Sequence, residues 1–239
     1  MKIPFVNLKK QYIEEKKNLL RVIDKTIKTG EWVGGSEIDS FEKKISKLCK
    51  TKYCVALNSG TDALTLSLHL LGVRKGDEVI TPPNSFIAST AVVTHLGAKP
   101  VFVDVKDDQN IDENEIEKKI TKNTKIIMPV HLTGRMCAMD TILKIANKNK
   151  IKVVEDAAQS IMSSYNGKMA GSWGDIGCFS THPLKNLNAI GDGGFLTTNN
   201  KSIYEKAKNL STHGMQESRD NVRSFGYVSR MDNLQAAIL

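Results

Sequence analysis

No stretch of this 239-residue chain stays apolar for the ~20 residues that a bilayer-spanning helix needs. The opening residues, MKIPFVNLKKQYIEEKK, hold no apolar central run and turn charged at once, so they do not read as a secretory signal. Cysteine is scarce. Cys49, Cys54, Cys137 and Cys178 form no CxxC pair and have no histidine at ligand spacing. That argues against a metal site and a disulfide framework, and it predicts reduced, mostly buried thiols in a cytoplasmic protein. Internal repeats and low-complexity tracts are missing too. The formal net charge is +8, but the lysines are scattered over helix-like stretches such as 112–125 and 141–152, mixed with acids. Solvated helix faces explain them better than nucleic acid does, and an anionic small substrate suits the sign equally well. The length allows one large core, or one domain and the start of another.

What is present is an alternation. Short β-rich runs recur at Tyr53–Leu57, Glu78–Thr81, Pro100–Val105, Lys125–Val130, Ile151–Glu155, Asp175–Ser180 and Gly194–Thr198. Helix-length segments, 61–71, 86–96, 112–120 and 139–149, lie between the first five. Strand alternating with helix predicts an α/β domain whose mainly parallel sheet is covered on both faces. Nearly all-apolar strands fit double cover. The link from Asp156 to Asp175 reads as irregular. Ahead of the alternation, residues 7–30 predict an amphipathic helix with Leu8, Tyr12, Leu19, Val22 and Ile23 on one side and Gly30 as its stop. A second helix, Ser36–Cys49, carries Ile38, Phe41, Ile45 and Leu48 at helical spacing. Both are expected on the outside of the sheet or on a partner subunit.

Ligands of open α/β sheets bind beyond the carboxyl ends of the strands. After the first strand, Asn58-Ser59-Gly60-Thr61-Asp62 opens a helix, with Ser59 or Thr61 as cap. Its unpaired N–H groups make a phosphate site, or simply a strand-to-helix turn. The block is neither GxGxxG nor a P-loop, which argues against dinucleotides and P-loop nucleotides. After the second strand, Phe86 can stack on a flat aromatic ligand, or be a core aromatic at a helix start. After the fifth, Asp156 needs a partner because an unpaired buried charge is costly. A protonated pyridine nitrogen would serve, as would capping of residues 157–160, and Gln159 lies one turn on. Ser180 ends the sixth strand, and Lys185 follows in a polar turn. A lysine at the end of a buried sheet can be desolvated, which lowers its pKa and frees the amine for Schiff-base chemistry, or it can be an ordinary solvated surface group. His131 and His182 lie near strand ends, where ordinary local hydrogen bonding is the first expectation and substrate contact the second.

Taken in order, IPFVNLKKQY, GEWVGGSEIDSFEKK, NSGTDAL, GDEVITPPNSFIAST, PVFVDV, PVHLTG, VVEDAAQS, GDIGCFSTHPLKNL, GDGGFLTT and SRMDNLQAAIL cover almost the whole chain. This series resembles the pyridoxal-phosphate-dependent nucleotide-sugar aminotransferases of the DegT type. The resemblance implies a three-layer fold type I large domain with about seven strands over residues 51–225. It implies an N-terminal helical segment at 1–50 and the start of a truncated C-terminal domain at 226–239. The cofactor implied is pyridoxal 5′-phosphate, with pyridoxamine 5′-phosphate in the half-reaction. Lys185 would carry the Schiff base and shuttle the proton, Asp156 would pair with the pyridine nitrogen, and Gln159 would lie at the ring hydroxyl. Phe86 would stack, and Gly60, Thr61 and Ser180 would hold the phosphate. The implied reaction moves an amino group from glutamate to a keto-sugar of a nucleoside diphosphate, in polysaccharide biosynthesis, within a cytoplasmic homodimer that binds neither nucleic acid nor membrane. A sugar dehydratase of the same family, which lacks the Schiff-base lysine, and a non-catalytic remnant are the alternatives. Two departures stand out. Val228 replaces the asparagine that family members often carry before SRMD. The chain also stops inside a helix whose cap is Asp232 and whose apolar face is Leu234, Ala237, Ile238 and Leu239, which predicts a short, aggregation-prone form.

Overall fold

The computed structural model describes residues 3–215, 220–222 and 224–239. Seven strands form the main sheet: β1 (Tyr53–Leu57), β2 (Glu78–Thr81), β3 (Lys99–Phe102), β4 (Thr124–Ile127), β5 (Lys152–Asp156), β8 (Ile176–Ser180) and β9 (Gly194–Thr198). Two further strands, β6 (Ser164–Tyr165) and β7 (Lys168–Met169), pair as a separate hairpin. The helices are α1 (Leu8–Thr29), α2 (Ser36–Leu48), α3 (Gly60–Leu70), α4 (Ala88–His95), α5 (Glu113–Ile116), α6 (Met139–Asn149), α7 (Lys201–Leu210) and α8 (Asn233–Ile238). The sheet runs in the order β1-β9-β8-β5-β4-β2-β3. Only β9 runs against the rest, antiparallel to both β1 and β8, so the carboxyl ends of the other six lie at one edge.

Period-two alternation divides the strand residues between two cores. Cys54, Ala56, Ile80, Ile127, Val153, Phe179 and Phe195 face one side, where they meet Ile38, Phe41 and Ile45 of α2 and Met139 and Ile142 of α6. Val55, Leu57, Val79, Ile126, Met128, Val154, Ile176, Cys178 and Leu196 face the other, against Ala63, Leu64, Leu66 and Leu68 of α3, Val92 and Val93 of α4, and Ala207 and Leu210 of α7. Double cover explains the near-continuous apolar strands. All four cysteines are free and buried, and burial pushes the Cys49 thiol up to about 12. No helix among the described residues is long and apolar enough to cross a membrane.

Three expectations need correction. The link from Asp156 to Asp175 is not wholly irregular, because Asn166-Gly167, both at positive φ, turn the β6–β7 hairpin. On α8 the buried residues are Asn233 and Ala236, and Asp232 makes no side-chain cap. Leu234, Ala237, Ile238 and Leu239 are only half-buried, since α8 packs between α1 and α2 rather than over the sheet. On α1 only Thr26 is buried, while Leu8 and Tyr12 remain exposed.

Candidate active site

Four strand ends meet at a cavity of about 530 Å³. Gly60, Thr61, Phe86, Asp156, Gln159, Ser180 and Lys185, all seven residues singled out in the sequence, line it. His182 is also on its wall, with Nδ1 accepting the Leu184 N–H at 3.2 Å. His131 is fully buried elsewhere. A larger cavity of about 690 Å³ lies beside β1, around Glu42, Lys208 and Arg230, and shares none of these residues.

The floor is made by close backbone approach. Ser59 caps α3, its Oγ accepting the Asp62 N–H at 3.0 Å, which leaves the first N–H groups of the helix without intrahelical partners. A Cβ on Gly60 would lie 2.7 Å from Ser180 Cβ, and a Cβ on Gly194 would lie 2.4 Å from Gly60 N. The two glycines therefore let the start of α3 sit directly on the ends of β8 and β9. The Gly60 and Thr61 backbone and the Ser180 hydroxyl consequently share one small space at the positive end of a helix dipole. This donor set matches a phosphate.

Asp156, 5 % exposed, closes the inner wall. Its Oδ2 accepts from Ser89 Oγ at 2.7 Å, and its Oδ1 accepts the Ala158 N–H at 3.2 Å. Burial raises its pKa above the usual carboxylate value, and the bonds from Ser89 and Ala158 oppose the rise. No helix follows Asp156, so helix capping does not account for it. Ser89 is the contact that sequence reading missed. It lies four residues from Ser85, and the two hydroxyls are 2.7 Å apart, but nothing in the sequence aims α4 at β5. Lys185 is half-buried, and burial lowers its pKa while the Asp156 carboxylate raises it. Phe86 is 72 % exposed, so it is not the core aromatic that a helix start also allowed.

Glu155 points the opposite way along β5 and is fully buried. Its carboxylate accepts the N–H groups of Gly171, Trp173 and Gly174 at 2.9, 2.8 and 2.8 Å. His131 Nδ1 accepts the Cys137 N–H at 3.2 Å, which leaves Nε2 to donate to Glu155 at 3.3 Å. The pair holds the loop behind β8 and takes no part in the cavity.

The sequence pattern of the DegT/DnrJ/EryC1/StrS aminotransferase family matches residues 13–239. The chain belongs to that family. It is 42 % identical over 238 residues to a dTDP-3-amino-3,6-dideoxy-alpha-D-galactopyranose transaminase of Aneurinibacillus thermoaerophilus, covering 99 % of this chain and 65 % of the relative. Among solved structures, S. venezuelae DesV superposes with a TM-score of 0.95 at 36 % identity, over 99 % of this chain and 64 % of DesV. NtdA of Bacillus subtilis, solved with bound cofactor PMP, gives 0.93 at 38 % identity, over 99 % of this chain and 55 % of NtdA. The fold is the α/β fold of type I aminotransferases. The chain spans just under two thirds of the length of the curated relatives it matches, 64 % and 65 % for the first two.

Proposed function

We propose that this chain carries the cofactor-binding large domain, over residues 51–225 with 1–50 packed on it, of a pyridoxal-phosphate-dependent aminotransferase. The acceptor is a keto-sugar of a nucleoside diphosphate, and the donor is glutamate. The observation that carries this reading is the convergence of all seven residues on one cavity from four distant strand ends. The sugar-nucleotide transaminase name of a 42 %-identical relative and the PMP bound to NtdA support it.

Gly60, Thr61 and Ser180 would hold the phosphate. Phe86 would cover one face of the ring, and Gln159 would approach its hydroxyl. The cofactor, when bound, supplies the electron sink for a carbanion. Asp156 would keep the ring nitrogen protonated. Its carboxylate, already short of water, favours a cationic neighbour. Lys185 supplies the amine, which burial holds closer to neutrality, and its Nζ takes and returns the proton at the reacting sugar carbon. A dehydratase of this family would not need that amine, and Lys185 argues against it. Phe5 is fully exposed, and with Phe86 and Leu184 it borders the cavity. That apolar rim supports a homodimer whose second subunit completes the site.

The deciding experiment is an absorbance spectrum of the protein mixed with pyridoxal phosphate, followed by borohydride and peptide mapping. A band at the visible edge and a modified Lys185 are expected. A protein that binds the cofactor with no modified lysine would overturn the aminotransferase reading.

A further inference from the structure

The loop that carries Lys185 has no regular structure of its own. Backbone bonds close its neck, from Thr181 N–H to Gly193 O and from Ala189 N–H to Thr181 O, both 2.8 Å. Lys185 N–H donates to His182 O at 2.8 Å and forms the turn at the tip. The far side of the loop is tied by two side-chain amides from opposite ends of the chain. Gln11 of α1 exchanges two hydrogen bonds with Asn188, each 3.2 Å, one in each direction. Gln235 of α8 pairs with both polar groups of the Ile190 backbone. Its Oε1 accepts the N–H at 3.0 Å, and its Nε2 donates to the C=O at 2.7 Å. A primary amide carries donor and acceptor in one plane, so it can pair as a peptide unit does. Gly191 admits the approach. Its φ is +130°, and a Cβ there would lie 3.2 Å from Gln235 Nε2.

We infer that Gln11 and Gln235 are positioning residues that clamp the Lys185 loop, so that the first and last helices set where the reactive amine stands. The inference rests on the role given to Lys185 above. Neither glutamine touches the reacting atoms. A slack loop leaves the amine misplaced, and a misplacement of about 1 Å costs on the order of a hundredfold in rate.

The test uses the intact protein with Gln235→Leu, Gln11→Leu, and the amide exchange Gln11→Asn with Asn188→Gln. Two quantities are read. One is the pH profile of Lys185 modification by an amine reagent without cofactor, resolved by peptide mass spectrometry. The other is the rate of reductive trapping of pyridoxal phosphate on Lys185. Each leucine variant should keep its circular dichroism and its affinity for pyridoxamine phosphate. Each should trap pyridoxal phosphate about ten- to a hundredfold more slowly. The modification profile should move to higher pH, because a loosened amine regains water and with it an ordinary lysine pKa. The amide exchange should restore both readouts. Should Gln235→Leu not fold, Gln235→Glu keeps the stem and the acceptor for Ile190 N–H but sets a charged oxygen against Ile190 O in place of the donor, which opens the same clamp. Folded variants with wild-type profile and trapping rate overturn the clamp. A wild-type protein never trapped at Lys185 overturns the aminotransferase reading instead, and the cofactor-free profile still judges the clamp.

Discussion

The tasks proposed for Lys185 and Asp156 are separable, and single substitutions should separate them. Lys185→Ala is expected to abolish transamination and reductive trapping while still holding pyridoxamine phosphate, because the floor of Gly60, Thr61 and Ser180 is untouched. An amino-donor and keto-sugar-nucleotide assay beside a binding titration checks both halves. Asp156→Asn should slow proton abstraction by orders of magnitude, more than it weakens cofactor binding, as single-turnover kinetics can show. It should also act on the lysine. The Asp156 charge raises the Lys185 pKa, so its removal lowers that pKa further. Lys185 should then be modified faster at neutral pH in Asp156→Asn than in the wild type. The meeting of these residues at one cavity was legible in the sequence, because each lies at or just beyond the carboxyl end of a strand. Ser89, donating to Asp156 at 2.7 Å, was not legible, because it depends on how α4 leans over β5.

At the scale of elements, the start of α3 depends on two missing side chains. Gly194→Ala would drive a methyl group into the Ser59–Gly60 backbone. An overpacked contact of this kind costs about 1–3 kcal/mol, and urea unfolding should report a loss of that order. Gly60→Ala should cost affinity for phosphate more than stability, since its Cβ meets Ser180 at the cradle itself. Isothermal titration with pyridoxamine phosphate distinguishes the two. Elements with strong periodicity were readable: α6 spans Met139–Asn149 as the sequence predicts, and β1, β2 and β9 match their runs. The boundaries of β3, β4 and α4 moved by one to three residues, because tertiary pairing decides where a ladder ends. The Asn-Gly hairpin at 166–167 was missed because its strands are two residues each, too short for alternation to show. The stripe on α1 was readable, but its direction was not, because its neighbour α8 lies more than two hundred residues away in sequence.

For the whole molecule, the edge strand β1 is covered by a buried ion pair. Glu42 accepts the Ala56 N–H at 2.9 Å and meets Lys208 at 3.1 Å, with side-chain exposures of 10 % for Glu42 and 37 % for Lys208. Burial raises the Glu42 pKa, and Lys208 opposes the rise. Lys208→Met should therefore destabilise the fold by about 3 kcal/mol near neutral pH, the low end for a broken buried pair because Lys208 is partly wetted. The sign of its pH dependence follows. A carboxylate whose folded pKa lies above its unfolded value of 4.5 contributes fully below that value and loses stability as pH rises through the folded one. The deficit of Lys208→Met should shrink on acidification, and denaturant midpoints at neutral and mildly acidic pH will show whether it does.

Glu155 and Asp156 are consecutive, alike in charge, and directed to opposite faces of one strand. Which of the two lines the cavity and which holds the loop is set by parity rather than by chemistry. A substitution elsewhere in β5 leaves that parity alone, whereas an in-frame loss of one codon before residue 155 inverts it. The loop-holding carboxylate would then face the cavity, and the cavity's carboxylate would face the loop. Insertions and deletions of one codon in the stretch encoding β5 should accordingly be far rarer among working genes than point changes there, with two-codon changes less disfavoured than one.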